Sequence, residues 1–211
     1  LFSVAAYGQE CTVDADSVNI VGSLETAENA FSELDVVGFR AATDQAAKDL
    51  PCVRDLFSRA LSARYHRFVG LRAFVDREQA QAVSAFAAAR TIEPNYEFPE
   101  SFIPSGNPVM NSYQALDVTV DEWAVFSPPT EGVIHLDGRV AEQRSTRFPH
   151  LYQYLNDKGE VVDTRYIFPE ERLPNYPGGL VVEMPQPEVI NQGEVALSPK
   201  SSAKKTLLIS S

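Results

Sequence analysis

The spacing of apolar residues changes once along this chain, and that change limits the folds open to it. Up to about residue 94, apolar side chains recur every three or four positions, as in Leu24, Ala27 and Phe31, which is the spacing of helices with one buried face. From Asp117 onward they occur in short runs bounded by turn residues, which is typical of strands. The sequence therefore predicts an α+β fold, with helices first and an antiparallel β part second.

Capping and helix-breaking residues divide the helical part. A first helix is predicted from Ser23, which can cap its first turn. Further helices are predicted over Val36–Asp49 and Cys52–Phe74. Pro51 suits the first turn of the third helix, and Pro94 ends a fourth.

Five short runs in the second half have strand composition. They cover residues 118–120, 123–126, 132–136, 151–155 and 161–167. Asp137 and Gly138 offer the chemistry of a tight β turn. Tyr152 and Tyr154 fall on one face of their strand and Gln153 on the other. We expect a small antiparallel sheet or β-sandwich.

The whole chain divides into five predicted parts. They are an N-terminal segment over 1–20, a helical domain over 21–94, an ordered connector over 95–116, a small β domain over 117–176 and an extended tail or linker over 177–211. The first residues fit either the remnant of a signal peptide or a short strand. Lys204 and Lys205 precede an apolar run, so we expect that a membrane anchor could follow Ser211.

The charge balance bears on the kind of partner. The 211 residues carry a formal net charge of −11, with 44% hydrophobic residues. Binding to nucleic acid needs clustered Lys and Arg, so the acidic balance argues against that class of partner. The hydrophobic content is that of a globular protein with a buried core.

The two cysteines, Cys11 and Cys52, bear on the compartment. In an exported chain they most simply form a disulfide bond, whereas in a cytosolic chain they would be two buried thiols. The sequence contains no CxxC pair, and His66, His135 and His150 lie far apart. No zinc site of the usual spacing is therefore predicted.

Small residues at fixed offsets mark a helical hairpin over residues 63–96. They occur with an aromatic ring that can fill the gap between two helices and a terminating proline: Gly70, Ala82, Phe86, Ala89 and Pro94. This run resembles one tetratricopeptide repeat, which has a period of about 34 residues. His66 stands where the family prefers Trp, and Ala73 where it prefers Tyr. The resemblance implies a helical groove or packing face that binds another protein.

A second resemblance covers residues 126–168. The run from Pro129 to Arg139 contains a Glu-Gly turn leading into a strand that ends at Asp137-Gly138. It is similar to the PEGA-type domain, a small β-sandwich module of bacterial envelope proteins, although Val133 replaces the family's alanine. The resemblance implies a β-sandwich in an envelope protein.

The sequence contains no nucleophile elbow, phosphate loop, HExxH or dinucleotide fingerprint. Asp137 is interpreted as a turn residue, and the acids Glu93, Glu97 and Glu100 as an exposed group. We predict no catalytic residue, no cofactor and no metal site.

These features indicate an exported protein, periplasmic or on the outer cell surface, that acts as an interaction or scaffolding protein. Its helical face and β module would bind a protein partner or further copies of the chain. Two alternatives stay open. One is a repeating subunit of a surface assembly or filament, and the other is a hydrolase or carbohydrate-binding protein with its site in the β part.

Overall fold

Helices give way to strands where the apolar spacing changes. The computed structural model describes residues 11, 14–116, 118–119 and 122–179. Its elements are α1 (Ser17–Ser32), α2 (Val36–Asp49), a 3₁₀ turn (Leu50–Cys52), α3 (Arg59–Val75), α4 (Gln79–Ile92), α5 (Pro108–Gln114), β1 (Trp123–Val125), β2 (Val133–Leu136), β3 (Arg139–Val140), β4 (Gln143–Ser145), β5 (His150–Leu155) and β6 (Val161–Ile167). The predicted α+β class is confirmed. None of these helices is long and apolar enough to span a bilayer.

Two predicted segments fall largely beyond the described residues. The signal remnant or strand predicted at the N-terminus involves residues 1–10, and most of the predicted tail and its anchor involve residues 180–211. Both interpretations therefore stay predictions.

α1 begins earlier than the sequence analysis predicts. Its N-cap is Asp16, whose side chain accepts a hydrogen bond from the N–H of Asn19. The Asn19 side chain in turn accepts from the N–H of Asp16 at 3.0 Å, which completes a capping box. Ser23 lies inside the helix, so the predicted start is wrong. An Asp–Asn pair takes the role that Ser or Thr with Glu or Gln commonly has.

α3 begins later than predicted, because the segment before it is bonded to strands instead. The carbonyl of Val53 accepts from the Thr164 hydroxyl at 3.0 Å. The N–H of Phe57 donates to the Gln153 side chain at 2.9 Å. Ser58 then caps the helix. Since groups on β5 and β6 satisfy this buried backbone, it has no need of helical hydrogen bonds.

α3 and α4 pack against each other as a hairpin, and Gly70 lies at the point of closest approach. A Cβ atom on Gly70 would lie 2.4 Å from the Phe86 ring. Phe86 itself is buried, as are Ala82 and Ala89 on the same helix. Pro94 follows the end of α4. The absence of a side chain at Gly70 therefore allows the Phe86 ring to fill the space between the two helices.

We expect Gly70→Ala to lower the free energy of unfolding by roughly 1–3 kcal/mol, because it overpacks a buried contact. Gly22 is the matched control, since it is also helical but meets nothing within 4 Å. Gly22→Ala is expected to raise stability by roughly 0.5–1 kcal/mol through helix propensity alone. Urea unfolding measures both. Equal gains in the two variants would contradict the close packing at Gly70.

The strands form two small antiparallel sheets. The larger has the order β3–β2–β5–β6, and the smaller pairs β1 with β4. Asp137 and Gly138 form the two-residue turn between β2 and β3, with φ angles of 52° and 75°, as in a type I′ hairpin. β3 and β4 are only two and three residues long, and the sequence pattern predicts neither of them. Residues 118–119, part of a predicted strand, are not in one.

β5, a central strand of the larger sheet, is buried on both faces. Leu151 of β5 belongs to the main core, which is otherwise formed by the helices, the segment between α2 and α3, and the connector between α4 and β1. On the opposite face, Tyr152 and Tyr154 pack with Ile134 and Ile167 in a second core. The predicted alternation along β5 is confirmed.

The N-terminal end of α1 is tied to the segment before α3. Cys11 and Cys52 form a disulfide bond with their Cα atoms 5.4 Å apart, and the bond closes a sequence separation of 41 residues. Next to it, Ala15 pairs with Val53 in a parallel β bridge. The N–H of Ala15 donates to the carbonyl of Cys52 at 2.9 Å.

Candidate functional site

A buried carboxylate joins two histidines where α3 meets the larger sheet. Oδ1 of Asp137 lies 2.8 Å from Nε2 of His66 and 2.8 Å from the N–H nitrogen of Leu151. Oδ2 lies 2.7 Å from Nδ1 of His150. On the far side of His66, Nδ1 lies 2.9 Å from the hydroxyl of Tyr166. We call Asp137, His66, His150 and Tyr166 the Asp137 cluster.

The β2–β3 turn brings Asp137 to α3. A Cβ atom on Gly138 would lie 2.8 Å from the carbonyl oxygen of Phe57 and 2.8 Å from the N–H nitrogen of Arg59. The turn can therefore approach the start of the helix this closely only with glycine at this position. The positive φ of Asp137 is one that Asp tolerates better than most residues.

Hydrogen-bond partners set the proton positions on His150. The main-chain N–H of Ser145 donates to Nε2 of His150 at 3.1 Å. Nε2 is therefore an acceptor, and Nδ1 carries the proton that is donated to Asp137. His66 donates to Asp137 from Nε2, and its Nδ1 faces the hydroxyl of Tyr166, which can serve as donor or acceptor.

The pKa of Asp137 lies well below the ordinary carboxyl value. Burial alone would raise it, but attraction to His66 and hydrogen bonds from His150 and His66 outweigh burial. Burial also raises the pKa of Tyr166 far above its ordinary value. Asp137 is therefore an anion near neutral pH, and Tyr166 is a neutral phenol.

Each ring nitrogen of the two histidines is engaged by another group of the protein. The Ser145 hydroxyl oxygen accepts a hydrogen bond from the N–H of Arg147 at 3.0 Å. No hydrogen bond joins the Ser145 hydroxyl to His150 within the described residues. Asp137, His150 and Ser145 are thus neighbours without the hydroxyl-to-imidazole bond of serine hydrolases. The hydrogen bonds of the cluster join the larger sheet to α3.

A groove of about 840 Å³ opens beside the Asp137 cluster, and we call it the sheet groove. Its walls come from β1, the β2–β3 hairpin and the ends of α3 and α4. Trp123, Val125 and Val140 line it and are 51%, 78% and 65% exposed. Large apolar side chains with this degree of exposure, grouped around one groove, are more typical of a protein contact surface than of a surface that faces only solvent.

Two guanidinium groups also line the sheet groove. Arg59, at the start of α3, donates to the carbonyl of Ile92 at 3.2 Å, and Arg139 is exposed at the start of β3. In the part of the chain that the structure describes, neither lies within ion-pair distance of a carboxylate. Burial and the charge of Arg139 lower the pKa of Arg59, against the attraction of Asp137 and Glu93.

A second groove, of about 570 Å³, runs between α2, α3 and β6, and we call it the helical groove. Its floor is apolar and includes Leu50 and Phe68. On its rim, the Arg72 guanidinium lies 2.6 Å from Asp44 and 2.5 Å from Asp76. Arg72 is therefore paired with two carboxylates, unlike the two arginines of the sheet groove.

The other residues singled out by the sequence lie apart. Glu93 pairs with Arg67 at 2.6 Å and so is not a free acid, while Glu97 and Glu100 are exposed as predicted. His135 lies on the opposite side of its strand from Ile134, and burial lowers its pKa. Within the described ranges, no group of three or more His, Cys, Asp or Glu is placed to hold a metal ion.

The Asp137 cluster is the feature that sequence reasoning missed. His66 and Asp137 are 71 residues apart, and Asp137 and His150 are 13 apart. The one local signal was the Asp-Gly turn, which predicts the backbone of Asp137 but none of its partners. Comparisons with protein-family models, with curated proteins and with solved structures find no match.

Proposed function

We propose that this chain is an exported interaction or scaffolding protein of a bacterial envelope, which binds a protein partner and catalyses no reaction. In this proposal α3 and α4 are a tetratricopeptide-like hairpin, and the β part is a sandwich of the PEGA type. The Gly70–Phe86 contact supports the first resemblance, and the presence of two small antiparallel sheets supports the second.

The observation that carries the proposal is the exposed apolar rim of the sheet groove. Trp123 is half exposed, and Val125 and Val140 are more exposed still. Two arginines lie in the same groove. Tryptophan and arginine are the side chains most enriched at the energetic centres of protein interfaces. A contact surface for a protein explains their grouping here.

The Asp137 cluster supports binding over catalysis. A general base needs a nitrogen or oxygen within reach of a substrate proton. The ring nitrogens of His66 and His150 are already bonded to Asp137, Tyr166 and the backbone of Ser145. The cluster then serves as the rigid support of the sheet groove.

The disulfide bond supports export. Disulfides persist in oxidising compartments such as the periplasm and the cell surface, and they are rare in the cytosol. The bond between Cys11 and Cys52 ties α1 to the segment before α3. A structural disulfide in this position suits a protein that works outside the cytoplasm.

A photo-reactive amino acid placed at Val125 tests the proposal in cells of the source organism. We expect a covalent adduct with another protein, and no such adduct from the same probe at Val162, an exposed valine on β6. With the probe at Val140, Trp123→Ser is expected to reduce adduct formation by at least about tenfold, as for an interface hot spot.

Two outcomes would contradict the proposal. Equal adducts from Val125 and Val162 would show that the sheet groove is not the contact surface. Adducts that contain only further copies of this chain would support the repeating-subunit alternative instead. That alternative draws on the exposed strand β1, which could pair with a neighbouring copy.

A further inference from the structure

The register of the smaller sheet turns one edge of β1 away from β4. The N–H of Phe126 donates to the carbonyl of Glu142, and the N–H of Thr146 donates to the carbonyl of Glu122. In an antiparallel pair the bonded positions alternate, so Glu122, Ala124 and Phe126 direct their backbone groups toward β4. The backbone groups of Trp123 and Val125 consequently point away from β4.

No strand covers that outer edge within the described residues. β1 pairs only with β4 there, and no described backbone group bonds to the N–H or carbonyl of Trp123 or Val125. The high exposure of Val125 agrees with an open edge. Exposed edges of this kind accept an extended segment as an additional strand.

The charge of the groove indicates what such a segment carries. Arg59 and Arg139 line the sheet groove with no ion-pair partner in the described part of the chain. Of the carboxylates in the groove, Asp137 is hydrogen-bonded to His66 and His150. Glu142 lies between β3 and β4 on the exposed rim. In a chain of net charge −11, these two guanidinium groups make the potential of this groove locally favourable for a negative group.

We propose that the partner binds the outer edge of β1 as an added strand and places a carboxylate side chain against Arg59 and Arg139. This inference rests on the proposed function, because it names the partner chemistry for the same groove. Trp123 and Val125 share one face of β1, and both line the groove. Side chains on that face of the added strand lie beside them, so an apolar one packs on Trp123 while an acidic neighbour reaches the arginines.

The experiment uses the intrinsic fluorescence of Trp123, the single tryptophan of the chain. The full chain is titrated to millimolar concentration with a short, acetylated and amidated peptide of alternating valine and threonine around one central glutamate. A second peptide has glutamine in its place, and a third has alternate backbone nitrogens methylated. We expect the glutamate peptide to shift the emission. Charge-assisted hydrogen bonds favour it about tenfold over the glutamine peptide, and methylation abolishes binding.

Arg139→Gln is the matched variant, since Arg139 is exposed and outside the core. This variant is expected to bind the glutamate peptide about tenfold more weakly and to lose the preference for it over the glutamine peptide. Arg165→Gln, on β6 and away from this groove, is the control and should change neither affinity.

Each other result overturns the inference. Equal affinity for the glutamate and glutamine peptides would show that no carboxylate is recognised. Full binding of the methylated peptide would show that the peptide does not bind as an added strand. If the glutamate peptide does not bind at millimolar concentration, both carboxylate recognition and strand addition are wrong. A fluorescence shift with protein concentration alone, together with a dimeric mass, places a second copy on β1 instead.

The two proposals fail separately. If the probe at Val125 still captures another protein while none of the peptides binds, the interaction surface stands and strand addition is wrong. If the probe captures nothing while the glutamate peptide binds with the stated preferences, the groove has the proposed chemistry but the proposed function is wrong.

Discussion

Replacing Asp137 by Asn is expected to lower the free energy of unfolding by roughly 3 kcal/mol or more. The carboxylate accepts three hydrogen bonds, from His66, His150 and the N–H of Leu151. An amide has nearly the same size and tolerates the positive φ of this turn. Its NH₂ group, however, would face a donor instead of an acceptor, and the buried charge would be lost. Urea unfolding near neutral pH measures the change.

Asp157→Asn provides the control, because Asp157 is an exposed turn residue between β5 and β6. It should change stability by no more than about 0.5 kcal/mol. Similar small losses in both variants would show that the Asp137 cluster contributes little to stability.

The loss of stability caused by Asp137→Asn depends on pH in a defined way. The pKa of Asp137 in the folded state lies well below the ordinary carboxyl value, which is about 3.9. The unfolded chain therefore takes up a proton at a higher pH than the folded one does. The stability contributed by Asp137 is complete above the unfolded pKa and is lost as the pH falls below it. The difference between wild type and Asp137→Asn should shrink between about pH 5 and about pH 2.

Removing the disulfide bond has the second large expected effect. The double variant Cys11→Ser, Cys52→Ser should lose roughly 3–4 kcal/mol, because the bond closes a 41-residue separation and restricts the unfolded chain. The urea m-value should rise, since the unfolded variant exposes more surface.

Reductant supplies the control for that experiment. Wild type unfolded with a thiol reductant should match the double variant, and the variant itself should be indifferent to reductant. A wild-type chain that unfolds identically with and without reductant would contradict the presence of the bond.

The sequence predicts those elements of the fold whose signals are local. α2 spans Val36–Asp49 as predicted, because its N-cap, Asp35, directly precedes it and its apolar face lies within it. The start of α3 was wrong because its cause is distant. The side chains of Gln153 and Thr164, about a hundred positions later, bind the backbone before Ser58. The residues of the segment itself give no indication of these distant hydrogen bonds.

The candidate site divides in the same way. The turn at Asp137-Gly138 is predictable from two adjacent residues, and the alternation of Tyr152 with Gln153 from the strand period. The pairing of Asp137 with His66 and His150 depends on how the sheet sits on α3, which no single-sequence pattern contains. The exposure of Trp123 was equally out of reach, since tryptophan in a short strand is usually buried.

The bonds from β5 and β6 to the start of α3 have a consequence for synthesis. Phe57 and Val53 leave the ribosome about a hundred residues before Gln153 and Thr164, their partners. At typical rates of 5–20 residues per second, this gap lasts roughly 5–20 s. During that time the segment before α3 lacks the side chains that bind its backbone. The native contacts of this segment therefore form only after β5 and β6 have been synthesised.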